Sequence, residues 1–111
     1  MAIRGAGEQI REAVEAWPGV TAHPHRFGGT EYIYGERREI GHTHGDQMVD
    51  IPFSTRIRAE LVAAGRVEPH HILPETGWVS FYLRETGDVD RAIELFRMSY
   101  ELAVKQKHPP T

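Results

Sequence analysis

The sequence predicts one α+β domain, a two-layer sandwich in which an antiparallel sheet of about five strands carries three helices, in the order α-β(3)-α-β(2)-α. Three observations predict it. Apolar residues recur at helical spacing near both ends of the chain and again in its middle. Between them lie short runs rich in β-branched and aromatic residues, bounded by glycine and proline turns. Most of these runs are separated by hairpin-length turns, which join antiparallel neighbours.

The first helix spans Gln9 to Trp17, because Ile10, Ala13, Val14 and Trp17 fall on one face and Pro18-Gly19 ends it. Val20 to Phe27 and Thr30 to Tyr34 read as a hairpin around Gly28-Gly29. Arg37 to His44 is the next strand. Gly45-Asp46 either turns it into a short extended piece, Met48 to Ile51, or marks a bulge. The second helix follows Pro52-Phe53, with Ser54 as N-cap, Ile57, Leu61 and Ala64 as its apolar stripe and Gly65 as its stop. Val67 to Leu73 and Trp78 to Leu83 read as two further strands joined by Pro74-Glu75-Thr76-Gly77. In the second of these, Val79, Phe81 and Leu83 point one way and Trp78, Ser80 and Tyr82 the other. The last helix runs from Asp88, its expected cap, to about Lys105. Its stripe of Val89, Ile93, Phe96, Tyr100 and Val104 is expected to lay Phe96 and Tyr100 on Val79, Phe81 and Leu83. The ends, about residues 1–6 and 107–111 with the tail His108-Pro109-Pro110-Thr111, are expected to be flexible.

Composition narrows the class. A length of 111 residues suits a single core, and 40% hydrophobic with 26% charged residues are ordinary globular values. With no cysteine, disulfide frameworks, thiolate nucleophiles and cysteine-ligated zinc are excluded. No apolar run approaches the roughly 20 residues of a membrane span. Met1 to Gly7 lacks the apolar core of a signal peptide, so a cytoplasmic setting is expected. The net charge of −3 argues against nucleic acid as a partner. The arginines of the middle third are interleaved with glutamates, as on a solvated surface.

The run Arg38-Glu39-Ile40-Gly41-His42-Thr43-His44-Gly45-Asp46-Gln47-Met48-Val49-Asp50 concentrates the chemistry. In an extended strand, His42 and His44 project from one sheet face. As metal ligands they need completion, for which His23, His25, His70, His71, Asp46 and Asp50 are candidates. The cupin pattern, with a glutamate shortly after the His-x-His pair, is not met. Alternatively one histidine is a general base held by Asp46 or Asp50, with Arg38 or Ser80 binding the electrophile. The bland alternative is that the histidines cover a half-exposed sheet face and hydrogen-bond their neighbours. As adjacent strand residues, His70 and His71 would point to opposite faces, so that at most one of them joins the pair. Trp78, Tyr82, Tyr32 and Tyr34 would floor an aromatic ligand site or fill a core or dimer interface. No glycine-rich phosphate loop and no nucleophile elbow is present, and no cofactor is specified.

From Gly41 to Tyr100 the chain resembles a family of small bacterial, archaeal and fungal proteins labelled the luciferase family, a domain of unknown function. The resemblance is carried by Gly41-His42-Thr43-His44, by Val49-Asp50-Ile51-Pro52-Phe53 and by the segment Arg58 to His70. Thr76-Gly77-Trp78-Val79 and Phe96-Arg97-Met98-Ser99-Tyr100 complete it. The label implies no light-emitting reaction, and no flavin, adenylate or dioxygen motif is present. Trp78 and Ser99-Tyr100 also resemble the YjbR-like proteins, whose fold is α-β(3)-α-β(2)-α and for which DNA binding has been suggested.

The expected role is therefore a binding module for a small ligand or a protein partner. Its candidate site is the sheet face bearing His42, His44, Asp50, His70 and Trp78. A small enzyme using His42 or His44 as base or metal ligand is the alternative. An uncovered sheet face with Trp78, Tyr82 and the hairpin tyrosines predicts a homodimer.

Overall fold

The computed structural model describes residues 2–25 and 28–107. Among them are α1 (Ala6–Glu15), β1 (Val20–Pro24), β2 (Thr30–Tyr34), β3 (Arg38–His44), β4 (Met48–Pro52), α2 (Thr55–Ala63), β5 (Glu68–Pro69), β6 (Trp78–Tyr82) and α3 (Asp88–Lys107). The strands form one antiparallel sheet in the order β1-β2-β3-β4-β6-β5. The α+β class holds, with six strands rather than five. The extra strand is β4: the piece from Met48 is a full strand paired on both sides, so the order is α-β(4)-α-β(2)-α. Phe27, expected in the first strand, and the tail from His108 lie outside the described residues.

Each helix end has a local cause. α1 begins earlier than its apolar spacing suggests, because its cap comes from a distant turn. Gly5 is left-handed at φ 78° and offers no side chain, so the Asp46 carboxylate accepts the N–H groups of Gly5 (3.0 Å) and Gly7 (2.8 Å). Those bonds hold the Asp46 carboxyl below its ordinary range. The Ile3 N–H donates to the Asp46 carbonyl, which ties the lead-in as well. At α2, Ser54 caps as expected, its hydroxyl accepting from the Ile57 N–H at 3.1 Å. Asp88 does not cap α3 from outside. It sits in the first turn and reaches back to the N–H groups of Arg84 (2.8 Å) and Glu85 (2.9 Å).

The buried side of α3 is rotated from the expected stripe. Val89, Ala92, Leu95, Phe96, Tyr100 and Ala103 are buried, whereas Ile93 and Val104 lie at its margin. Small residues at 92, 99 and 103 let the helix lie close over β2, β3 and β4. Phe96 therefore meets Tyr32 edge to face, with ring centroids 5.5 Å apart. Tyr100 meets Trp17 and Tyr34, and its hydroxyl donates to the Pro18 carbonyl at 2.8 Å. Both rings share one buried cluster with Val79 and Leu83, against which Phe81 packs, but α3 crosses chiefly β2, β3 and β4, with β4 standing between β3 and β6.

A bulge in β3 is the main departure from regular geometry. Tyr32 pairs with Gly41 and Ile33 with Glu39, which leaves Ile40 as an extra residue buried in the core. Gly41 has φ 145°, and a Cβ there would stand 2.6 Å from Phe96 Cε1 and 3.0 Å from the Asp50 carbonyl oxygen. Only glycine meets both conditions.

The segment read as a strand from Val67 to Leu73 pairs with β6 only at Glu68 and Pro69. The chain then turns, because His70 Nδ1 accepts the N–H groups of Ile72 (3.1 Å) and Leu73 (3.0 Å). Among the described residues no helix is long and apolar enough to cross a membrane.

Phe96 is fully buried over Gly41, so Phe96→Ala is expected to cost about 3–5 kcal/mol in urea denaturation. Gly41→Ala is expected to destabilise the wild type more than it destabilises Phe96→Ala, since part of its cost is the contact with the Phe96 ring. A loss under about 1 kcal/mol for Phe96→Ala contradicts this packing.

Candidate functional site

Antiparallel registry draws a polar row across the whole sheet. His23 stands opposite Glu31, Glu31 opposite His42, His42 opposite Asp50, Asp50 opposite Ser80, and Ser80 opposite Glu68. Directly opposed residues share a face, and Phe96 covers Gly41 and Ile51 on the other one. The row thus lies away from the helices.

Its centre is not open to water. Asp50 and Ser80 are fully buried, and His42 and His70 are nearly so. Asp50 Oδ1 accepts the Ser80 hydroxyl at 2.6 Å. Around Oδ2 stand four imidazole Nε2 atoms: His44 at 2.8 Å, His70 at 3.3 Å, and His42 and His71 at 3.4 Å each. The His42 ring lies 5.3 Å from Trp78 and stacks on His25 at 4.1 Å. All five candidate residues, His42, His44, Asp50, His70 and Trp78, therefore come together.

His71 joins them. The expectation that at most one of the adjacent pair reaches the site rested on a strand at 70–71, and the turn closed by the His70 ring removes that restriction. Other sequence candidates stand elsewhere. Asp46 caps α1, His23 pairs with the Thr21 hydroxyl, and Arg38 hydrogen-bonds Gln106 on the helical side. Tyr32 and Tyr34 pack against α3.

Glu39 is the residue that sequence reasoning missed. In a regular strand it would face away from His42, three places on. The bulge at Ile40 restores it to the same face, and its Oε2 lies 2.6 Å from His42 Nδ1. Gly41 was the available signal, since a glycine inside a strand marks such an irregularity.

Charge explains the protonation. Burial disfavours the His42 imidazolium, but the Asp50 and Glu39 carboxylates outweigh it and push His42 up to about 9. Burial likewise opposes ionisation of Asp50, yet His42, Ser80 and His44 hold its carboxyl far below the ordinary range. For His70, desolvation wins and lowers it. Three donor atoms, from His42, His44 and Asp50, lie within 4.8 Å of one another, and so do those of Asp50, His70 and His71. Either set has the composition of a metal site.

The architecture is that of a small antiparallel-sheet domain with helices on one face and a histidine-lined polar face on the other. The chain belongs to the luciferase domain family, whose model matches residues 37–99, from the start of the bulged strand into α3. The fold is similar to the crystal structure of a Deinococcus radiodurans protein carrying the domain DUF419. The TM-score is 0.71 and the identity 20%, over 92% of this chain and 80% of that one. This likeness is one of fold, and it agrees with the resemblance to YjbR-like proteins. No curated protein matches the chain.

The shift of His42 fixes a pH dependence for the metal-free protein. A folded value near 9 against 6.5 for the free side chain gives stabilisation that is complete below about 6.5 and lost as pH rises through about 9. Urea midpoints measured in chelator from about pH 6 to about pH 10 should fall in the wild type and fall less in His42→Gln. Equal slopes in the two proteins contradict this account.

Proposed function

We propose that this chain is a binding module whose ligand sits on the histidine-lined sheet face at Asp50. One observation carries the reading: four imidazole Nε2 atoms lie within 3.4 Å of Asp50 Oδ2. A carboxylate oxygen has about two lone-pair sites, so four ring N–H groups exceed what it accepts. Stability alone asks for one or two donors. The surplus of imidazole nitrogens beside a carboxylate suits a cation, either a metal ion that binds nitrogen lone pairs or a small organic ammonium ion that donates N–H to them. Trp78 borders the cluster, and Ile72 and Leu73, 71% and 47% exposed, form an apolar rim on the same segment as His70 and His71.

The enzymatic alternative finds less support. Without a metal ion the Asp50 and Glu39 carboxylates push His42 up to about 9, which makes it a poor general base near neutral pH, and a metal ion would have to displace its Nε2 proton. The Ser80 hydroxyl is committed to Asp50 Oδ1. Nucleic acid remains disfavoured by the net charge of −3. The cysteine-free composition fits a cytoplasmic setting. Self-association has a narrower basis than the sequence suggested, because the sheet face opposite the helices is polar at its centre. A homodimer would use the Ile72–Leu73 rim, and light scattering at tens of micromolar should then give a dimer mass that Ile72→Ser/Leu73→Ser reduces to a monomer.

A thermal-shift panel of divalent metal chlorides and small organic cations tests the binding role. At least one member should raise the melting temperature of the wild type and leave Asp50→Asn and His44→Gln unmoved. A panel without any such member overturns the reading.

A further inference from the structure

We infer that His42, His44 and Asp50 bind a divalent first-row transition-metal ion through Nε2, Nε2 and Oδ2, with the fourth position left to water or a ligand. The inference rests on the binding-module reading and specifies its ligand.

Distances support it first. With bonds of about 2.0–2.1 Å and tetrahedral angles, two ligand atoms stand roughly 3.3–3.4 Å apart. The Nε2 atom of His42 lies 3.4 Å from Asp50 Oδ2, long for a hydrogen bond and right for two ligands of one ion, and the donor atoms of His42, His44 and Asp50 all lie within 4.8 Å of one another. His44, at 2.8 Å, is the one donor that must withdraw by about half an ångström when the ion replaces its proton.

Tautomers then sort the histidines. His42 Nδ1 faces Glu39 Oε2 at 2.6 Å, so the ring proton belongs on Nδ1 and Nε2 is left for the ion. That is the outer carboxylate–imidazole–metal arrangement common in protein metal sites. His70 is the reverse case. Its Nδ1 accepts two backbone N–H groups, so the neutral ring carries its proton on Nε2, which points at Asp50 Oδ2 from 3.3 Å. His70 is a positioning residue and not a ligand. On the other oxygen, the Ser80 hydroxyl occupies Oδ1 at 2.6 Å and leaves Oδ2 as a single donor.

The scaffold supports the same assignment. His42 and Asp50 are direct cross-strand partners, and His44 lies two residues along β3, so three ligands are fixed by paired strands before any ion arrives. His71, from the turn after β5, groups with Asp50 and His70 and stands outside that set. Imidazole nitrogens with a single carboxylate suit zinc, nickel, cobalt or copper, while magnesium and calcium prefer all-oxygen sets.

Zinc and cobalt(II) chlorides are the probes. Protein stripped with chelator, reloaded and passed through gel filtration should retain one zinc per chain. Cobalt(II) should give the intense visible absorption of a tetrahedral site. His42→Ala and Asp50→Asn should each weaken zinc binding by at least about 100-fold, whereas His70→Gln should keep the stoichiometry and lose about 10–100-fold, as outer-shell changes do. Circular dichroism of each stripped variant separates lost ligands from lost fold, and His44→Gln, at the least buried of the three ligands, is the second variant should Asp50→Asn unfold. Zinc below about one tenth per chain, or retained unchanged by His42→Ala/His44→Gln, overturns the inference. So does abolition of binding by His70→Gln in a variant that stays folded. If zinc fails while an organic cation still binds in an Asp50-dependent way, the inference falls and the binding-module reading stands.

Discussion

The buried charge of Asp50 constrains the polar half of this molecule. An isolated carboxylate loses several kcal/mol of solvation in a protein interior unless hydrogen bonds or opposite charges replace the water. Asp50 sits in β4, one of the two middle strands of the sheet and paired on both sides, where a central strand normally carries apolar residues. Its neighbours supply the replacement: Ser80 from β6, His42 and His44 from β3, and His70 and His71 from the turn after β5. Side chains from three separate parts of the chain thus converge on that one carboxylate.

The bulge at Ile40 makes the arrangement compatible with a core. Without an extra residue, strict alternation would place Ile40 on the histidine face and Glu39 on the helical one. With it, Ile40 is buried on the apolar side and Glu39 reaches the outer nitrogen of His42. One inserted residue therefore settles two requirements of opposite polarity.

What was legible in the sequence follows from these features. Segments with clean periodicity, such as Ile10 and Val14 on α1 or Val79 and Phe81 on β6, announced their elements, and the His-x-His pair announced its shared face. β4 does not stand out as a full strand because Asp50 interrupts its apolar run, and nothing local shows that His70 and His71 join His42 and His44 around it. Residues 67–73 have the composition of a longer strand, but pairing ends at Pro69 and the ring of His70 closes a turn. Glu39 was missed for a geometric reason: odd spacing means opposite faces until a bulge intervenes. The helix cap provided by Asp46 acts across about 40 residues of chain, beyond the reach of any local pattern.

The two faces of the sheet are mechanically coupled at Gly41. The absent side chain leaves room for the Phe96 ring on the core side, and the same backbone position lies against the Asp50 carbonyl. A close-packed interior transmits such displacements because it has little free volume to absorb them. Pressure from the core at this point would shift β4 relative to β3, and with it the spacing of Asp50 from His42 and His44. The cation proposed for this site would be sensitive to changes of a few tenths of an ångström in that spacing. The packing of α3 is thus part of what holds the polar site in register, and the glycine between them serves the site as much as the core.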